Sequence, residues 1–126
     1  GVNMPTYSDM KKATSWSVYV VAEFGLDGAA TGFHKIGSAR NVKYRLSGLK
    51  SGNPRLLRVV WQKDYGSRDR AFGIEKMVHK FAPGWVDGTE WFDCPIDAIV
   101  NHINVCERLY DGGERHHGFI RAEARI

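Results

Sequence analysis

The chain has 126 residues, of which 43% are hydrophobic and 25% charged, with a formal net charge of +4. That is enough for one compact domain with its own core, and no apolar run approaches the roughly 20 residues a membrane span requires. Two cysteines, Cys94 and Cys106, are too few for a disulfide scaffold and lack the companions of a zinc site, so they read as reduced, partly buried thiols of a cytoplasmic protein.

Residues 1–14 are polar and aperiodic and read as a flexible arm. From Ser15 to Phe24 the pattern alternates. Trp16, Val18, Val20, Ala22 and Phe24 share one parity, while Ser17, Tyr19, Val21 and Glu23 share the other. This predicts a strand with one apolar face and Tyr19 on the more polar one. The stretch Gly25–Gly32 contains the turn dipeptide Asp27-Gly28. A second strand, Phe33 to Gly37, is expected to run antiparallel to the first.

Gly37 ends that strand, and a short basic helix follows with Ser38 or Asn41 as its N-cap. Val42, Leu46 and Leu49 form its buried stripe, and Ser51-Gly52-Asn53-Pro54 ends it. Arg55 to Lys63 reads as a third strand. Ser67 caps a helix over Arg68–Phe81, striped by Ala71, Ile74, Val78 and Phe81 and stopped by Pro83-Gly84. Val86–Asp93 is a turn plus a short strand. Pro95 opens a last helix carrying Ile96, Ile99, Val100, Ile103, Cys106 and Tyr110. The order β-β-α-β-α-(β)-α predicts an α/β (α+β) fold with a three-stranded antiparallel sheet flanked by helices. One domain is expected over residues 15–110, followed by a polar tail over 111–126.

Charge is not spread evenly. Between Lys35 and Arg70 ten Lys and Arg face only Asp64 and Asp69, so this segment alone carries +8. Such a block suits a polyanion, nucleic acid first. Lys35, Arg40, Lys43, Arg45, Lys50 and Arg55 are the expected contacts.

Phosphodiester hydrolysis needs an aligned, deprotonated water, positive charge at the phosphoryl oxygens, and help for the leaving oxygen. Tyr19 can act as base or donor if a neighbouring cation or metal lowers its pKa from about 10. Arg45 lies beside the apolar stripe of its helix, where a planar guanidinium suits a phosphate. Glu75, inside the second helix, can hold one hard divalent ion such as Mg²⁺ (or Mn²⁺) with waters and substrate phosphate. His79, four residues on, shares that helix face and can carry a proton or bind phosphate. Lys35 is a strand-end cation that fits a phosphate or an activated phenol. His34 and Glu90 are less defined candidates; Glu90 either helps place a metal or base or caps a turn. Each of these residues also has an ordinary structural reading as strand tyrosine, surface arginine or solvated glutamate.

Order and spacing add what single residues lack. Ser17-Val18-Tyr19, Lys35-Ile36-Gly37, Arg45, Glu75-Lys76-Met77-Val78-His79 and Glu90-Trp91-Phe92 together resemble the GIY-YIG nuclease superfamily. The resemblance is to the branch whose second motif reads Lys-Ile-Gly and whose Glu-x-x-x-His helix leads to a Glu-Trp-Phe strand. It covers about Ser15 to Ile103. It implies a small nuclease core, one divalent metal on Glu75, Tyr19 as general base or nucleophile-positioning group, and Arg45 on the phosphate. Ser17 stands in place of the first motif's glycine, and Lys35 in place of the second motif's tyrosine.

The leading expectation is therefore a metal-dependent endonuclease acting on DNA, with RNA as the other candidate nucleic acid and a protein partner supplying specificity. A bacterial or phage-encoded intracellular protein fits. The alternative is a non-catalytic nucleic-acid-binding module on the same fold. A protein-interaction domain presenting Trp16, Trp85 or Trp91 ranks below both.

Overall fold

The structure, a computed structural model, describes residues 15–113. The expected arm over residues 1–14 and most of the expected tail, residues 114–126, lie outside the described residues. Four strands and three helices follow in the order β1 (Trp16–Phe24), β2 (Ala30–Ala39), α1 (Val42–Lys50), β3 (Leu56–Gly66), α2 (Arg68–Phe81), β4 (Trp91–Asp93) and α3 (Ile96–Asp111). The last helix thus runs through Asp111, one residue past the expected domain edge.

The sheet is antiparallel with strand order β3-β1-β2-β4. It has four strands rather than the expected three. The short Trp91–Asp93 strand joins by pairing Asp93, Phe92 and Trp91 with Phe33, His34 and Lys35. A hairpin delivers it there. The amide of Val86 donates to the Trp91 carbonyl at 2.9 Å and that of Asp93 to the Gly84 carbonyl at 2.7 Å.

β1 is the central strand, hydrogen-bonded to β2 on one side and β3 on the other. Both of its faces are covered. Val18, Val20 and Ile36 pack with Ala71, Ile74 and Val78 of α2 and with Ile99 and Ile103 of α3 to form the main core. On the opposite face Tyr19, Val21, Ala39 and Leu57 lie beneath Val42 of α1. Tyr19 is only 2% exposed, so the face expected to be more polar is a second small core. Alternation marks a half-buried strand; a central strand with helices on both sides buries both parities.

The strand ends also differ from expectation. β2 extends beyond Phe33–Gly37 because its ladder with β1 continues through Ser38 and Ala39. Ser38 is therefore a strand residue, and Asn41 is the cap of α1, accepting the Tyr44 amide at 2.9 Å. β3 likewise starts at Leu56 and continues to Gly66. Ser67 caps α2 as expected, accepting the Arg70 amide at 3.1 Å. Both cysteines are free and fully buried.

Candidate active site

β4 pairs with β2 only as far as Lys35. Past that residue the outer edge of β2 carries no strand among the described residues, and side chains fill the gap. The imidazole Nε2 of His79 approaches the Ile36 carbonyl at 2.8 Å, taking the place of a further ladder bond. With a carbonyl as partner, Nε2 carries the proton and donates.

Two sets of side chains meet at this edge. Tyr19 pairs with Gly37 across the ladder, and Val21 with Lys35, so Tyr19, Lys35 and Gly37 share the α1 face. Val18 pairs with Ser38, which turns Ser38 towards α2. The Ser38 hydroxyl donates to Glu75 Oε1 at 2.6 Å. Glu75 Oε2 lies 3.3 Å from His79 Nε2. Glu75 is thus held by a strand and by its own helix, with its side chain 18% exposed. It is not the freely solvated glutamate of the structural reading.

The two sets line one cleft of about 280 Å³, which includes Tyr19, Lys35, Arg45, Glu75, His79 and Glu90. The Arg45 guanidinium is close enough to the Tyr19 hydroxyl to favour its ionised form. Even so, burial outweighs that cation and raises the Tyr19 pKa above its ordinary value. The neighbouring cation alone does not lower the phenol's pKa: desolvation of a phenolate in a nearly closed slot costs more than the guanidinium returns. Nor does Lys35 hold the phenol. Its ammonium is paired with the Glu90 carboxylate, and that cation holds Glu90 below the usual carboxylate range. The hydrogen bond to Glu75 raises the His79 pKa, against the opposing effect of burial.

The expected nucleic-acid contacts divide. Lys35 and Arg45 line the cleft, and Arg40 lies in an adjoining groove with Ser38 and Tyr44. Lys43 and Lys50 flank the other side of α1, beside Arg58 of β3. Arg55 is paired with Glu23 at 3.1 Å, away from the cleft. His34 is buried, with Nδ1 2.8 Å from the Cys94 carbonyl; it ties β2 to the end of β4 and does not line the cleft.

Four lining residues escaped the sequence reading: Ser38, Trp16, Arg68 and Phe72. A signal existed for two of them. Arg68, Phe72, Glu75 and His79 fall at i, i+4, i+7 and i+11, a single helix face. Ser38 could be found only once the strand was known to extend past Gly37.

Among the described residues, no group of three or more His, Cys, Asp and Glu could hold a metal ion. The donor set is nevertheless compatible with a hard divalent cation. Glu75 offers a carboxylate whose two oxygens each retain acceptor capacity, and Mg²⁺ commonly relies on one or two carboxylates, waters and substrate phosphate.

A small α+β sheet whose central strand, second strand bearing Lys35-Ile36-Gly37 and two following helices meet at one polar cleft defines a GIY-YIG-like, nuclease-associated fold. Within that class the chain belongs to the T5orf172 domain family, whose profile matches residues 17–107. This makes it a nuclease-like or DNA-binding module. No curated protein and no solved structure matches the chain. No helix among the described residues is long and apolar enough to cross a membrane.

Proposed function

We propose that the protein is a metal-dependent endonuclease that hydrolyses phosphodiester bonds in DNA, built on the Lys-Ile-Gly variant of the GIY-YIG site. The observation that carries this reading is the meeting of Tyr19, Arg45, Lys35, Glu75 and His79, from four different elements, in one cleft. Hydrolysis adds a water oxygen to phosphorus and breaks the bond to the leaving oxygen. The water gives up a proton and the leaving oxygen gains one.

Arg45 offers the planar fork that suits a phosphate and lines the cleft beside Tyr19. Tyr19, held as a neutral phenol, positions the attacking water as a hydrogen-bond partner rather than as a resting phenolate. Glu75 is the residue that would hold the divalent ion, Mg²⁺ or Mn²⁺. Such an ion supplies positive charge to the non-bridging and leaving oxygens. Ser38 and His79 orient that carboxylate. Because Nε2 of His79 is committed to the Ile36 carbonyl, Nδ1 is the atom at which its proton is gained or lost. Lys35 exchanges Glu90 for the phosphate when substrate enters. The adjoining Arg40 extends the positive surface along the strand.

The test is nicking of supercoiled plasmid with Mg²⁺ or Mn²⁺. Wild type converts it to open circle; Glu75→Ala and Arg45→Ala lose this by about 100-fold or more, as expected for groups that stabilise charge in the transition state. Equal nicking by all three proteins would remove the assignment.

A second reading is favoured by one observation. Lys35, standing where the superfamily has a tyrosine, is already neutralised by Glu90. A non-catalytic nucleic-acid-binding module would show steep salt dependence and no metal-dependent cleavage.

A further inference from the structure

On the α2 side of the cleft mouth, cations and aromatic rings alternate. The Arg68 guanidinium carbon lies 5.6 Å from the centre of the Trp16 ring and 5.7 Å from that of Phe72. The Lys76 ammonium lies 5.5 Å from the Phe72 centre. Trp16, Arg68 and Phe72 all line the cleft that holds Glu75. Phe72 is 43% exposed and stands one helical turn before Glu75 on the same face of α2. It also borders the adjoining groove that continues past Lys76, Lys80 and Thr89.

A single exposed phenyl is ordinary on a protein surface. This one is placed differently. It forms the shared wall of two connected grooves, next to the candidate phosphate site. Among the described residues, neither Arg68 nor Lys76 is paired with a carboxylate, and both lie over its ring. Aromatic faces flanked by unpaired cations are the recipe for holding nucleic acid through base stacking and backbone charge together. The aromatic face demands a base whose own face is uncovered. A base inside a duplex has both faces stacked and cannot offer one.

From this juxtaposition we infer that Phe72, backed by Arg68 and Trp16, is a stacking platform for an unpaired nucleobase adjacent to the scissile phosphate. The cleft therefore takes single-stranded or locally opened DNA in preference to intact duplex. The inference rests on the cleft being a nucleic-acid site. It does not require that the site be hydrolytic.

The experiment is a titration in EDTA with a single-stranded DNA oligonucleotide carrying 2-aminopurine, whose fluorescence falls on stacking. Wild type quenches the probe and binds it more tightly than the matching duplex. Phe72→Ala abolishes the quench and weakens single-strand binding about ten-fold, the range measured for losing one stacked base, with little change for duplex. Phe72→Tyr keeps the ring and restores both. Unchanged quench and affinity in Phe72→Ala would overturn the inference, as would absence of single-strand binding by wild type. Quenching without plasmid nicking in Mg²⁺ would support the platform and remove only the hydrolytic reading.

Discussion

The Tyr19 ring lies across Gly37 so closely that a Cβ at residue 37 would overlap the phenol oxygen and its ring carbon. The two residues are direct partners in the β1–β2 ladder. The glycine of the Lys-Ile-Gly motif is thus a space requirement: it lets the phenol cross β2 and reach the cleft at the strand's free edge. It follows that Gly37→Ala displaces the Tyr19 ring. We expect a loss of about 1–3 kcal/mol, the usual cost of overpacking, together with loss of nicking. Gly48 of α1 is the control, because among the described residues nothing beyond its own helix backbone lies within 4 Å of a Cβ built there. Gly48→Ala should stabilise by about 0.5–1 kcal/mol through helix propensity. Urea denaturation of both variants checks the pair; equal effects in the same direction would contradict the space argument.

His79 makes stability depend on pH in a definite direction. Its folded pKa is raised above 6.5, chiefly by the hydrogen bond to Glu75. The stabilisation is therefore fully present below the unfolded value and is lost as pH rises through the raised folded value. Relative to wild type, His79→Gln should look most destabilised near pH 5.5 and least near pH 8.5. Chemical denaturation across that interval tests this, and a pH-independent difference would be incompatible with it.

Glu90 restrains Lys35 at the cleft mouth. The Glu90 side chain is 72% exposed and that of Lys35 only 12%. An ion pair this accessible contributes little to stability, so Glu90→Gln should change it by less than about 1 kcal/mol. It should nevertheless tighten DNA binding several-fold, because Lys35 is released to phosphate. The slope of log affinity against log salt should steepen by up to about 0.9. Fluorescence anisotropy at several salt concentrations reads both quantities; weaker binding by Glu90→Gln would show that the carboxylate helps rather than competes.

Ser38 and Glu75 form a bond between strand and helix at 2.6 Å. Ser38→Ala removes the donor to a carboxylate, a contact worth about 1.5–3 kcal/mol when the acceptor is charged. Nicking should fall about ten-fold while binding in EDTA stays close to wild type, because orientation of Glu75 is lost and not the cationic surface. A variant with unimpaired nicking would remove Ser38 from the site.

The sequence by itself determined the elements whose ends are written locally. α2 runs over Arg68–Phe81 as read, because Ser67 caps it, its apolar stripe has helical spacing, and Pro83-Gly84 stops it. The element order and the positions of Tyr19, Lys35, Arg45, Glu75 and His79 were legible for the same reason: motif spacing survives in one dimension. What only the tertiary structure decided concerns neighbours far apart in the chain. Tyr19 reads as a residue on a polar face, yet it is buried because α1 folds over a strand already covered on its other side. Its pKa rises because desolvation depends on that enclosure, whereas sequence shows only the nearby cations. Lys35 and Glu90 are 55 residues apart and meet because a hairpin turned at Gly88 lays β4 along β2. β2 itself ends where its ladder with β1 ends and not at Gly37. Spacing along the chain fixes which side chains are available; packing and strand register fix which of them share water, charge and space.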